Sequence, residues 1–179
     1  MKGKKVTFLS ICLMGIILLV GCTRTPETMS KGEAAAGSFL MRYYGISEED
    51  FVVFDLPESS ASGEGIVSFE PTEAIEQVKV YYHDAMTEEM LNKFFANRLV
   101  TRVQDICIAE GANKATFKSL ELEKLDSVVE EGAENYNYSC TFTVGKKEYN
   151  AIGQISLVDD NGVMKVSNLH LTDMVEQGE

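Results

Sequence analysis

The sequence contains no tryptophan, three prolines and only two histidines in 179 residues. Two histidines are too few for a histidine-rich metal site. Basic residues are scarce as well, with 16 Lys and Arg against 28 Asp and Glu, a formal net charge of −12. Because proteins bind nucleic-acid phosphates through clustered Lys and Arg, this balance excludes nucleic acid as the main partner.

Catalytic sequence signatures are also missing. The chain has no HExxH, CxxC or Gly-x-Ser-x-Gly motif, and we predict neither a metal nor a cofactor. The composition that remains is 45% hydrophobic and 25% charged, which is ordinary for a globular protein. It excludes disorder throughout the chain and a polytopic membrane protein, and the length fits one domain or a domain and a half.

The most specific pattern lies in the first 22 residues. Three lysines precede a mostly apolar run over residues 8–20, as in the charged and apolar regions of a secretory signal. This run is shorter than the roughly 20 apolar residues that a membrane-spanning helix needs. It ends in Leu19-Val20-Gly21-Cys22, which resembles the lipobox of bacterial lipoproteins. The alternative is an ordinary cysteine after an ordinary signal.

The resemblance to bacterial lipoproteins implies a processed and lipidated N-terminus. Cleavage would remove the signal peptide, residues 1–21, and Cys22 would carry a diacylglycerol and fatty acyl chains such as palmitate. The mature chain would keep 13 basic and 28 acidic residues, a net charge of −15. Anionic lipid headgroups repel such a surface, so the acyl chains would hold the protein on the extracytoplasmic face of the cell membrane. Residues 22–29 would form the lipidated tether.

The mature chain divides into a small N-terminal unit, residues 30–70, and a larger domain, residues 71–174, before a short tail at 175–179. In the small unit, Ser30 caps a predicted helix over residues 30–44. A capped turn follows at 47–50, and two short strands are predicted at 51–56 and 65–70. The unit is thus predicted as helix–strand–strand.

The larger domain begins with helices and ends with strands. Thr87 is a predicted N-cap, and residues 87–110 predict one long amphipathic helix closed by Gly111. Its apolar stripe consists of Leu91, Phe95, Leu99, Val103 and Ile106. Strands are predicted at 117–129, 136–144, 149–157 and 163–171, with bulges in the first and last. The short connections predict an α+β fold, with helices packed on a curved antiparallel sheet of about four strands.

This order of elements resembles the NTF2-like (cystatin-like) fold over residues 71–174. The stretch from Met86 to Arg98 resembles the second helix of NTF2-like bacterial lipoproteins. Residues 34–82 also resemble small clostridial lipoproteins, through Tyr44-Gly45-Ile46 and residues 64–78. The NTF2-like resemblance implies an apolar pocket between helix and sheet. Some members of that family are enzymes with Asp, His and Tyr in the pocket, while many only bind or scaffold, and neither resemblance supplies a catalytic residue.

Both histidines are candidate ligand-binding or general-base residues. His83 lies beside Asp84, and a carboxylate next to an imidazole is typical of a general base. Adjacent helical residues point in different directions, however, so an exposed helix-end residue is the preferred interpretation of His83. His170 lies on the last strand between two leucines, and this alternation predicts that its side chain faces outward.

Two arginines and two cysteines complete the candidates. Arg98 and Arg102 have i, i+4 spacing and could hold a carboxylate or phosphate, although an intrahelical pair of Arg102 with Asp105 is preferred. Cys107 and Cys140 could form a disulfide across the helix–sheet interface, since extracytoplasmic proteins permit one. Two buried free thiols are the preferred alternative.

The acidic groups are interpreted as solvated surface or turn residues. Asp159-Asp160-Asn161-Gly162 lacks the alternating oxygen ligands of a calcium loop and predicts a hairpin turn instead. We therefore predict a lipid-anchored extracytoplasmic protein that binds a small ligand or an envelope protein without catalysis. One alternative is an NTF2-like pocket enzyme, a hydrolase or isomerase. Another is an accessory subunit of an envelope secretion or conjugation complex, which predicts an exposed apolar patch.

Overall fold

The computed structural model of the protein describes residues 29–52, 78–80, 82–126 and 132–178. Cys22, the signal sequence and the strand expected at 65–70 lie outside the described residues, as does all but the start of the strand expected at 51–56. The described elements are helix α1 (Lys31–Tyr44), a 3-10 helix (Glu48–Asp50), helix α2 (Glu88–Ala96), a 3-10 helix (Leu99–Thr101), helix α3 (Arg102–Ala109), and strands β1 (Ala115–Leu125), β2 (Glu134–Val144), β3 (Lys147–Asp160) and β4 (Val163–Glu176).

Helix α1 forms where its cap and apolar stripe predict it. The Ser30 hydroxyl accepts a hydrogen bond of 3.0 Å from the Glu33 backbone N–H, which satisfies one of the unpaired donors of the first turn. The Glu134 carboxylate of β2 also accepts from the Ser30 hydroxyl, at 2.9 Å. A carboxylate at this end is favourable because the helix dipole is positive there. The start of α1 is thereby attached to the start of β2.

The single long helix expected over residues 87–110 is wrong. Thr87 does cap α2, but Arg98 takes a left-handed conformation with φ 53° and separates α2 from α3. The Leu99 carbonyl accepts a 2.6 Å hydrogen bond from the Tyr43 hydroxyl of α1. This contact with α1 satisfies a carbonyl at the break between α2 and α3. Helical periodicity continues across the break, so the sequence pattern does not reveal it.

The four strands form one antiparallel sheet in the order β1-β2-β3-β4. The sheet is curved and unclosed, so the α+β expectation is confirmed. The β3–β4 hairpin turns at Asn161 and Gly162, both with positive φ, as an Asn-Gly tip predicts. The register shifts once in the β1–β2 pairing and twice in the β3–β4 pairing. These shifts confirm the predicted bulges and add one at Thr172, beyond which β4 continues to Glu176 rather than ending at residue 171.

The core lies between the helices and the inner face of the sheet. Alternate residues of β2 and β3 point into it, as their period-two pattern predicts. The largest of its fully buried side chains are aromatic: Tyr43, Tyr44, Phe94, Tyr136 and Phe142. Aromatic rings dominate core energetics because each buries a large apolar area.

Substitution of two glycines by alanine tests this packing, and the two substitutions should change the free energy of unfolding in opposite directions. A Cβ at Gly153 of β3 would lie 2.6 Å from the Tyr138 hydroxyl and would also clash with the His170 carbonyl oxygen. We expect Gly153→Ala to lower the free energy of unfolding by about 1–3 kcal/mol because the core is overpacked. Gly37→Ala in α1 meets only Leu120, at 3.8 Å. It should raise the unfolding free energy by about 0.5–1 kcal/mol, since alanine favours helix.

Urea unfolding followed by circular dichroism measures both free energies. Equal effects of the two substitutions would contradict the close approach of Tyr138 to Gly153.

Candidate functional site

The described interior between helices and sheet is filled rather than open. Tyr44 of α1 and Tyr138 of β2 are both buried, and their hydroxyl oxygens are 2.9 Å apart. The Tyr44 ring also packs 5.2 Å from the Phe142 ring, between centroids. These contacts occupy the space where the NTF2-like resemblance implied an apolar pocket.

A crevice of about 200 Å³ remains between α1 and β4. It is lined by Ala35, Ser38, Phe39, Arg42, Ala85, Leu157, Met164 and Val166. Arg42 forms an ion pair with Asp50, so its charge is already partnered. The lining contains neither a histidine nor a carboxylate, and an acid–base reaction has no proton carrier there.

The larger open space is a groove of about 540 Å³ on the outer face of the sheet. Residues from all four strands line it, most of them polar, and Ile152 is its exposed apolar residue: Glu121, Leu122, Glu123, Asn137, Tyr138, Ser139, Ile152, Gly153, Gln154 and Thr172. Strand register places Glu123, Asn137, Gln154 and His170 in one row across the sheet. The neighbouring row consists of Glu121, Ser139, Ile152 and Asp173.

Hydrogen bonds hold the first of these rows in place. Gln154 Nε2 donates to Asn137 Oδ1 at 3.1 Å, and Asn137 Nδ2 donates to Glu123 Oε2 at 3.4 Å. The amides are thereby aligned across β1, β2 and β3. An amide side chain carries two donors and two acceptor sites, so each retains capacity for further hydrogen bonds. The row is therefore a partly ordered hydrogen-bonding surface.

His170 is exposed and lies on the outer face, as the flanking leucines predicted. His83 is exposed at a helical end, with Nδ1 3.3 Å from Asp84 Oδ1. The structure thus places the two histidines on different elements, His83 in the segment before Met86 and His170 on β4.

Arg98 and Arg102 do not share a helix face. Arg98 is the left-handed residue at the helix break, and Arg102 is the first residue of α3. A clamp formed by their i, i+4 spacing, the less favoured of the two interpretations, requires a continuous helix, and the break at Arg98 interrupts that helix. Asp105, the expected partner of Arg102, accepts a 3.2 Å hydrogen bond from the Thr101 hydroxyl.

Cys107 and Cys140 are free thiols, and both are buried. Burial raises the pKa of Cys140 to about 12. Since the thiolate is the reactive form, this environment makes Cys140 unreactive at neutral pH. The structure therefore has the free-thiol arrangement rather than the disulfide.

Four outer-face residues were not among the candidates predicted from the sequence: Asn137, Ser139, Ile152 and Gln154. Their signal was present in the alternate positions of β2 and β3. The alternation that assigns one set of positions to the buried face also assigns the positions between them to the outer face.

Comparison with protein-family models, curated proteins and solved structures gives no match to this chain. In the described part of the chain, every helix is too short or too polar to cross a bilayer. No cluster of three or more His, Cys, Asp or Glu side chains suited to a metal ion is found in that part either.

The buried tyrosine hydroxyls of the core predict a loss of stability at alkaline pH. Burial raises the pKa of Tyr136 to about 12, and it raises the pKa values of Tyr44 and Tyr138 further above their ordinary range. Their folded pKa values exceed the unfolded ones, so the stabilisation is complete below about pH 9 and declines at higher pH. We expect a decline of about 1.4 kcal/mol per pH unit for each group that ionises only in the unfolded state.

Tyr138→Phe provides the control in urea unfolding at pH 7 to 11. It should cost about 1–3 kcal/mol at pH 7 because it leaves the buried Tyr44 hydroxyl unpaired. It should also make the alkaline decline in unfolding free energy less steep, because one ionisable group is removed. A free energy of unfolding that stays constant to pH 11 would contradict this assignment.

Proposed function

We propose that this chain is a lipid-anchored extracytoplasmic protein that binds a partner through the outer face of its sheet and does not catalyse a reaction. The observation that carries the proposal is the contrast between the two faces. The inner face is packed with aromatic side chains, whereas the outer face presents a groove of about 540 Å³ with an aligned amide row. A filled interior leaves the surface as the place for recognition.

The anchor in this proposal is Cys22, in the Leu19-Val20-Gly21-Cys22 pattern. Ser30 follows Cys22 by eight positions in the sequence, so the tether spans at most about 29 Å. The start of α1, which is attached to Glu134, would therefore stay close to the lipid surface.

An NTF2-like identity is consistent with the order of helices and strands, and we propose it on that basis alone. The enzyme form of that family would need His170 or a carboxylate inside a cavity. His170 is on the outer face, and the inward polar groups of the described core include Tyr44, Tyr138 and Cys140, whose pKa values are all raised by burial. Such groups stay protonated at neutral pH, which supports binding over general-base catalysis.

Membership of an envelope complex is the form of binding that the exposed apolar residues favour. Ile152 and Val175 both lie on the outer face and are 42% and 50% exposed. Surface apolar residues surrounded by polar ones are typical of transient protein interfaces. A protein partner is thus better supported than a small ligand enclosed in a cavity.

Replacement of Cys22 tests the anchor. We expect Cys22→Ala to abolish incorporation of labelled palmitate and to release the protein from the membrane fraction, because the thiol that would accept the lipid is absent. Cys12→Ala, within the apolar run, is the matched control and should label like the wild type. Equal labelling of Cys22→Ala would disprove lipidation at this residue.

A charge placed in the groove tests the binding face. We expect Ile152→Arg to reduce chemical cross-linking of the membrane-bound protein to its partner by about tenfold, since a central substitution disrupts interface contacts. Ile108→Arg on α3 is the matched control, because Ile108 is 61% exposed and belongs to a helix rather than to the outer face of the sheet. The same cross-linking pattern in both variants would contradict binding through the outer face.

A further inference from the structure

We propose that the outer-face groove binds an extended, basic polypeptide segment carrying Lys or Arg side chains. This inference rests on the proposed function and names the chemistry of the partner. It depends on the spacing of the groove's charges, on its hydrogen-bonding row and on its central apolar residue.

The charges around the groove have one sign. Glu121 and Glu123 project from β1 into the groove, and Asp173 lies across from Glu121 in the same row of the sheet. The residues that line the groove include neither lysine nor arginine. A basic partner would therefore meet carboxylates from both sides of the sheet, and complementary charge sets both the encounter rate and the choice of partner.

The spacing of the carboxylates matches an extended chain. Glu121 and Glu123 are two residues apart on one strand, which corresponds to roughly 6.7 Å. Alternate side chains of an extended peptide have the same repeat. Asp173 lies three strands away from Glu121, about 14 Å at the usual strand separation. Basic residues at alternate positions of one extended segment can thus face the two glutamates together.

The remaining groups of the groove suit a polypeptide rather than a free cation. Gln154 and Asn137 retain donors and acceptors that can pair with peptide groups. Ile152, 42% exposed in the middle of the groove, offers a contact for an apolar side chain. A small polyamine would use the carboxylates but leave these groups without a function.

Charge also argues against the other occupants of this face. A second copy packed face to face would bring Glu121, Glu123 and Asp173 close to identical carboxylates, and like charges in contact are unfavourable. Anionic lipids would be repelled for the same reason. A basic segment of a different protein is the occupant that removes this repulsion.

Fluorescence anisotropy with the full-length, detergent-solubilised lipoprotein tests the inference. The probe is a labelled nine-residue peptide of alternating lysine and threonine, and its glutamate–threonine counterpart is the control peptide. We expect saturable binding of the lysine peptide that weakens as salt is raised, because exposed charge pairs are screened. Equal binding of both peptides, or of neither, would overturn the proposal.

Two triple variants remove the same amount of charge from different surfaces. Glu121→Gln with Glu123→Gln and Asp173→Asn should weaken binding of the lysine peptide about tenfold. Glu48→Gln with Asp84→Asn and Glu88→Gln changes exposed carboxylates of the helical segments and should leave it unchanged. An equal loss in both variants would mean that net charge alone attracts the peptide, which would overturn the proposal.

The two proposals fail in distinguishable ways. If Ile152→Arg abolishes cross-linking of the partner while the outer-face triple variant retains it, the binding face stands and the basic partner is wrong. If sedimentation shows a dimer that Ile152→Arg dissociates, the occupant is a second copy and the basic-segment inference is overturned. Loss of both cross-linking and lysine-peptide binding in the triple variant supports the two proposals together.

Discussion

The buried hydroxyl pair of Tyr44 and Tyr138 is the constraint on which the arrangement of helices and sheet depends. A tyrosine hydroxyl taken out of water needs a partner, and each of these hydroxyls supplies the other's. The pair fixes the end of α1 over β2. It also requires Gly153, since the Tyr138 hydroxyl occupies the space that a Cβ would take. Tyr44, Tyr138 and Gly153 therefore fix the distance between α1 and the sheet together. The other aromatic side chains of the core pack around them.

A filled interior restricts recognition to the surface, and the sheet edges are poor surfaces for adding a strand. The edge strand β1 has a bulge after Phe117, and the edge strand β4 has register shifts near Ser167 and Thr172. Bulges and charged side chains discourage pairing with another chain. Segment 85–87 also covers part of the β4 edge, because the Val166 N–H donates to the Ala85 carbonyl at 2.9 Å. The outer face is the broad surface that these edge features leave available.

Local rules predicted much of the fold. Caps at Ser30 and Thr87, alternation in β2 and β3 and the Asn-Gly turn each depend on a few neighbouring residues. The break at Arg98 depends instead on Tyr43, 55 residues earlier in the chain, and on a left-handed backbone that propensity does not favour for arginine. The alternation of the sequence predicts which residues form the outer face, but it does not predict that this face contains a groove. Its rows are set by cross-strand register, which an unexpected bulge at Thr172 shifts.

The distribution of lysines explains why the groove stays acidic. On the sheet, lysine ion pairs lie near strand ends, where Lys147 contacts Glu110 and Glu176 and Lys165 contacts Asp160. These pairs join the ends of strands to neighbouring elements, and their acidic partners do not include Glu121 or Glu123 of the groove. In the lipid-anchored arrangement that we propose, an anionic lipid surface would repel a face of that sign, so that face would point away from the headgroups. The same charges would then both keep the face accessible and favour the basic partner that we propose for it.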